Sequence, residues 1–394
     1  MPIYLDHAAT RPVRREVVDA MLPFLTESFG NPSSAHGFGR VARAALDDAH
    51  DRLATDLGVE AREVVFTSGG TEANNLALKG AAWAGKARGH RIVTSSIEHH
   101  AVGHALRYLE KFGFEIVELP VDRYGRVDPD EIDAALSDRT ILVSIMLANN
   151  EVGTIQPIAE IAEKVRARKG ILLHVDAIQA APYLDLRLRE LGIDLVSISA
   201  HKFEGPKGIG ALYVKHGTHI LAQQHGGEQE RHRRAGTENV AGAVGLAKAY
   251  ELSVAERAPT VERLRSSRDR LADAVLAVPE TELTGHPTDR LPGLLSIIAR
   301  GTDGFAVSVS LDLEGIAASV GSACTTGSTE VSHVLSAMGY PDDEARGALR
   351  LSLGRTTSDE DLVTATEVVP RVIASMRTGA ATVARDPLGQ EVTV

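Results

Sequence analysis

The chain has 394 residues, 43% of them hydrophobic and 24% charged, with a formal net charge of -11. That balance excludes global disorder, and the acidic surplus argues against a nucleic-acid backbone binder, which needs a dense Lys/Arg surface. A single cysteine, Cys324, excludes intramolecular disulfides and cysteine-based zinc cages and fits a reducing compartment.

The opening MPIYLDHAATRP has neither the basic stretch nor the apolar core of a signal peptide. The apolar run ILVSIMLA at 141–148 is too short to cross a bilayer, so a cytoplasmic chain with no membrane contact is expected. From about residue 60 to 215, short β-branched runs alternate with helical periods, the pattern of a mainly parallel, doubly wound α/β sheet. Strands are expected at 63–67, 91–95, 115–119, 140–147, 171–175, 195–199 and 210–214, with a helix over 158–170 that ends at a glycine. Beyond residue 240 a long helical stretch breaks at Pro259 and resumes over 261–278, leading into a smaller α+β unit with strands near 294–300 and 348–354. Its last helix is expected to open at Thr357 with Glu360 in the capping-box position and to kink at Pro370. The expected division is a large domain over 13–255, a small domain from 1–12 and 256–376, and a flexible tail over 377–394.

The polar residues cluster where such a sheet binds ligands, beyond the carboxyl ends of its strands. There the sequence places SGGTEANN, EHH, NNE, DAIQ and AHK in five successive loops. In TSGGTEANN the amides near Gly70 and Thr71 are open to an anion, a charge that the helix dipole favours by about 0.3–1 kcal/mol. A plain strand-to-helix turn is the competing reading. Asp176 ends the apolar strand ILLHVD, where a buried carboxylate needs a partner such as a protonated ring nitrogen, an arginine or the next helix start. Gln179 follows one helical turn later. Ser199, His201 and Lys202 stand at another strand end, and a partly desolvated lysine there can form a Schiff base, although most loop lysines are simply solvated. His99, His100 and His104 lack a third ligand in a pattern such as HExxH, so no metal is expected; His99 is placed to lie over a flat ring and move protons. The RHRR run at 231–234 could meet a small anion.

Taken together, YLDHAAT, FGNPSSAH, TSGGTEANNLALKG, EHHAV, ANNEVGTIQPI, HVDAIQ, SAHKFEGPKGIGALYV, GGEQERHRRAGTEN, GSACTTG, SHVLSAMG and LRLSLGR resemble the NifS/IscS-like cysteine desulfurases over roughly residues 3–376. The resemblance implies the pyridoxal-phosphate-dependent transferase fold of type I, a homodimer, L-cysteine as substrate and a sulfur-acceptor protein as partner. It implies that Lys202 carries pyridoxal phosphate, His99 stacks on its ring, Asp176 pairs with the ring nitrogen, Gln179 meets the ring hydroxyl, and Asn150 meets the ring edge and the substrate. Gly70, Thr71, Ser199 and His201 would bind the phosphate, joined by Thr237 from a second subunit, and Arg350 would hold the substrate carboxylate. Cys324 would take the substrate sulfur as a persulfide and carry it to the acceptor, which explains a thiol among Gly, Ser, Ala and Thr. Arg11, Glu228 and Val320 depart from the family's usual residues, and STEVSHV lacks its usual proline. Another type I enzyme, an aminotransferase or lyase for which Cys324 is incidental, is the alternative.

Overall fold

The computed structural model describes residues 2–321, 331–377, 383–385 and 391–393; Cys324 lies outside the described residues. Seven strands form the central sheet: β2 (Val64–Thr67), β3 (Arg91–Ser95), β4 (Glu115–Leu119), β5 (Thr140–Met146), β6 (Leu172–Asp176), β7 (Leu195–Ser199) and β8 (Gly210–Val214), after a two-residue β1 (Ile3–Tyr4) elsewhere. Their order is β2-β8-β7-β6-β5-β3-β4. Each lies within a residue of its expected limits; β5, β7 and β8 are buried at every position, whereas β4, at the sheet edge, is only partly buried.

The sheet is parallel from β4 through β7, whereas β8 runs antiparallel to both β7 and β2. The reversal follows from the connection: β7 leads through a single 3₁₀ turn, Ala200–Phe203, and a Gly/Pro loop rather than through a crossover helix. With β2 pointing the same way as β7, the carboxyl ends of β2, β3, β5, β6 and β7 share one edge.

Helices cover both faces. Gly37–Leu57, a helix the sequence reading left unassigned, and Val240–Ala255 bury Leu46, Leu53, Leu246 and Tyr250 against Phe66, Val143 and Ile145. Gly70–Gly85 and His100–Glu110 bury Leu76, Leu78, Leu106 and Leu109 against Val65, Ile92 and Leu142 on the other side. Each such side chain contributes about 1.5–3 kcal/mol of burial.

A second sheet, β9 (Thr281–Leu283), β10 (Leu294–Ala299) and β12 (Ala348–Ser352), is antiparallel in the order β12-β10-β9. Helices Arg257–Leu276 and Asp359–Arg377 enclose it, and its core joins Leu264, Leu295, Leu351 and Ile373 to Ile3 and Leu5 from the chain's start. Strand β1 reaches this unit by pairing in parallel with β11 (Ile316–Ala317). Within the last residues, β13 (Val383–Arg385) pairs antiparallel with β14 (Glu391–Thr393).

Three local expectations are corrected. The break after residue 240 falls at Glu256, and Pro259 sits in the first turn of Arg257–Leu276, where no intrahelical N–H is required of it. The helix Ile158–Arg166 stops short of Gly170, whose φ of 87° serves the turn into β6. The final helix is capped by Ser358, not Thr357: Ser358 Oγ accepts from the Asp361 amide at 3.1 Å and the Asp361 carboxylate accepts from the Ser358 amide at 2.9 Å. Thr357 instead uses its hydroxyl to accept from the Gly354 amide at 3.0 Å. The helix runs continuously through Pro370. Ser358→Ala should therefore lower stability by about 1 kcal/mol, while Glu360→Ala stays within about 0.5 kcal/mol of wild type, as read from thermal midpoints.

Candidate active site

One cavity at the shared edge of the central sheet is lined by Gly70, Thr71, His99, Asn150, Asp176 and Gln179. Ser199, His201, Lys202 and Arg350 complete its wall. Thr237 is exposed and not part of that wall, and Cys324 lies outside the described residues.

Gly69 has φ 149°, a backbone that favours glycine, and Gly70 opens the helix Gly70–Gly85. A Cβ on Gly70 would lie 2.3 Å from Ile178 Cδ1, so the helix start sits directly against the loop after β6. Asp176 is buried at the end of β6; its Oδ1 accepts from the Ile178 amide at 3.0 Å and its Oδ2 from Asn74 Nδ2 at 2.7 Å. Burial raises its pKa, against the Ile178 amide, Asn74 and Lys202, which all favour the carboxylate.

Lys202 stands on the 3₁₀ turn after β7 and donates to the carbonyls of Ala8 at 2.6 Å and Ala9 at 2.9 Å. Gln179 Nε2 donates to the same Ala8 carbonyl at 2.8 Å, and His201 Nδ1 lies 3.2 Å from Thr10 Oγ1. His99 caps the helix His100–Glu110, its Nδ1 accepting from the Ala101 amide at 3.1 Å, which assigns the neutral ring's proton to Nε2. Burial, followed by the Lys202 cation, lowers its pKa to about 4. His201 falls to about 4 for the same two reasons, with Lys207 and Arg11 adding.

Asn149 spends its side chain on the turn, its Oδ1 accepting from the Glu151 and Val152 amides at 2.8 and 3.0 Å, which leaves Asn150 to face the cavity. Arg350, buried on β12, donates through Nη1 to the carbonyls of Asn150 at 2.8 Å and Gly321 at 3.2 Å, and through Nη2 to Asp6 Oδ1 at 2.8 Å. Its Nε is buried without a hydrogen-bond partner among the described residues. Nε–H and the second Nη2–H are the side-on donor pair that grips a carboxylate in bidentate fashion.

The sequence reading passed over Asp6, Asn74, Glu98 and the Ala8 and Ala9 carbonyls. Asp6 and the alanines lie in YLDHAAT, quoted there only for likeness; Asn74 carried a usable signal, standing four residues after Gly70 on the same helix face. Of the three adjacent histidines, His100 and His104 stack with ring centroids 5.0 Å apart, and His333 packs on His100 at the same distance. Glu98 is fully enclosed, Oε1 accepting from Ser95 Oγ at 2.6 Å and the Met146 amide at 2.9 Å; burial raises its pKa to about 8, with Asp176 adding.

These groups fix a pH profile for folding. His7 and His174, like His99 and His201, are held neutral by burial, to about 3 in both cases. Unfolded, all four take protons below 6.5, so stability falls as the pH drops through that range. Glu98 acts oppositely, staying protonated in the fold up to about 8 while ionising near 4.5 unfolded, so stability falls as the pH rises between those values. Four groups outweigh Glu98 below 6.5, and above it the Glu98 decline remains. The thermal midpoint of the cofactor-free chain should peak near pH 6.5, and Glu98→Gln should flatten the decline toward pH 8; an undiminished decline in that variant would refute the assignment.

The family model "Aminotransferase class-V" matches residues 3–364. The "Cysteine desulfurase IscS" of Methanosarcina thermophila is 50% identical over 375 residues, covering 95% of this chain and 93% of that one. Among solved structures, a "NIFS-LIKE PROTEIN" superposes with a TM-score of 0.90 at 36% identity, covering 95% of this chain and 100% of that chain. A structure described as "SspA in complex with cysteine" gives a TM-score of 0.79 at 33% identity over 89% of this chain and 98% of that chain. These likenesses across nearly the whole chain make it a member of the class-V aminotransferase family.

Proposed function

We propose that this chain is a pyridoxal-phosphate-dependent cysteine desulfurase, releasing L-alanine from L-cysteine and loading the sulfur on Cys324. The observation that carries the reading is the meeting of Lys202, Asp176 and Arg350 around one cavity. The donor set fits the cofactor: a glycine helix start for a phosphate, a buried carboxylate for a ring nitrogen, and an amine for covalent attachment. When bound, pyridoxal phosphate supplies the electron sink that makes the substrate's carbon–sulfur bond labile.

Gly70, Thr71, Ser199 and His201 would hold the phosphate end, and Asp176 the ring nitrogen. His99, neutral and desolvated, would lie against the ring, Gln179 would meet its hydroxyl, and Asn150 its edge and the substrate. Arg350 would align the substrate carboxylate. Lys202 would carry the cofactor, and its amine would move protons at the substrate carbon. The Cys324 thiolate bonds to the substrate sulfur as the carbon–sulfur bond breaks, the bonding pair passes to carbon, and protonation there yields alanine. The persulfide is then handed to an acceptor protein for iron–sulfur cluster assembly or thio-modification.

A homodimer in the cytoplasm is part of the proposal. Val18, Leu22, Leu25, Phe29, Phe38 and Val41 are exposed large apolar side chains at the start of the chain, a surface that a second copy would cover. Thr237, exposed and off its own cavity wall, is then available to the partner's phosphate. The small unit of 1–12 and 256–376 acts as the substrate-facing domain, contributing Arg350 to the site built on 13–255.

With L-cysteine the purified protein should be yellow and yield sulfide and alanine in equal amounts. Cys324→Ser should abolish sulfide release with the colour retained, and Lys202→Ala should lose the bound chromophore. Full activity of the serine variant would instead favour another reaction on the same fold. Arg350→Lys, which cannot offer the side-on pair, should raise KM for L-cysteine by about tenfold or more in steady-state assays.

A further inference from the structure

The helix Gly70–Gly85 touches the Asp176 corner twice. Its first residue, Gly70, packs on Ile178, the residue whose amide binds Asp176 Oδ1. Its fifth residue, Asn74, one turn along on the same face, binds Asp176 Oδ2 at 2.7 Å. One oxygen of the carboxylate is thus tied directly to this helix through Asn74 and the other to the Ile178 amide in its own loop, whose side chain packs on the helix start lining the cavity.

Asn74 is completely buried, and its Oδ1 has no hydrogen-bond partner among the described residues. An isolated buried amide oxygen costs about 1–3 kcal/mol, so the side chain is retained for what its other end does. That end can only donate, and a donor at 2.7 Å matches an ionised carboxylate, whereas a protonated one would offer its O–H to the vacant Oδ1. The titratable and charged groups facing Asp176 are Lys202, from the 3₁₀ turn, and Glu98, from the loop after β3. Lys202 favours the charged carboxylate and Glu98 opposes it, while Asn74 and the Ile178 amide add the direct hydrogen bonds to its two oxygens.

We propose that Asn74 is a positioning residue for Asp176, fixing the rotation and the charge of the carboxylate from the same helix that forms the phosphate end, so that ring nitrogen and phosphate are held at a set spacing. The proposal rests on the cofactor reading above for its purpose but not for its measurement.

In the cofactor-free full-length chain, the protonation midpoint of Asp176 is read by infrared difference spectroscopy against Asp176→Asn. Asn74→Leu, which keeps the volume and removes the donor, should shift the equilibrium about tenfold toward the protonated acid. Pyridoxal-phosphate retention should weaken by about tenfold alongside. Asn74→Asp, which sets a second carboxylate beside the first, should shift it at least as far and decides the matter if the leucine variant does not fold. An Asp176 midpoint equal to wild type in whichever variants fold would overturn the proposal, even if the thermal midpoint fell. If wild-type protein took up no pyridoxal phosphate, the functional reading would fail, and the infrared midpoints would still judge Asn74.

Discussion

A carboxylate at the buried end of a strand is the constraint on which this site depends. Asp176 closes β6 in the middle of the seven-stranded sheet, and ionisation there is tolerable only because donors from two separate elements meet it. That requirement explains several neighbours at once. The helix after β2 must approach closely enough for Asn74 to reach, and its first residue, Gly70, comes up against the tip of the Ile178 side chain. A cation in front of the carboxylate is also called for, and Lys202 is delivered there by the short reversal between β7 and β8. Had that connection been a crossover helix, the lysine would have been carried to a face of the sheet rather than to its edge.

The chain's first residues act as the second organiser. Asp6 holds Arg350, Ala8 and Ala9 receive the Lys202 amine, Ala8 also receives Gln179, and Thr10 meets His201. Four site groups from three elements are therefore held in register by one short strap. The strap is itself anchored: β1 pairs with β11, Arg11 bonds to and stacks on Tyr183, and Arg14 meets Glu256 and the Glu204 carbonyl. Arg11 thus serves as an anchor of this segment, and its positive charge helps keep His201 neutral.

The sheet was legible in the sequence because a strand buried on both faces leaves an unbroken β-branched run, and the loops beyond those runs carried the polar residues. Of the eleven assigned site residues among the described ones, ten line one cavity: nine come from the five loops that converge at one edge, and Arg350 from the second sheet. What stayed hidden depends on contacts that spacing alone does not encode. The reversal of β8 turns on a 3₁₀ turn too short to show a period, and β1, β9 and β11 are two or three residues long. Ser358 and Thr357 are adjacent hydroxyls, and only the side-chain geometry distinguishes the helix cap from the residue bonding Gly354. The Ala8 and Ala9 roles belong to backbone carbonyls, on which a side-chain reading is silent.

Desolvation gives the site its electrostatic character. Two histidines beside the lysine are held neutral, each by burial first and by Lys202 second. A neutral His99 adds no further positive charge beside Lys202 and keeps a lone pair or an N–H ready for hydrogen bonding, depending on the nitrogen presented. Because its Nδ1 is spent on the Ala101 amide, the nitrogen left for the cavity is the protonated Nε2. His99 is therefore set up as a hydrogen-bond donor in its resting form and can take up a proton only by giving up its helix cap. That cost ties the ring's protonation to the position of the helix His100–Glu110, so a rigid helix start, rather than solvent pH, keeps this imidazole in one tautomer.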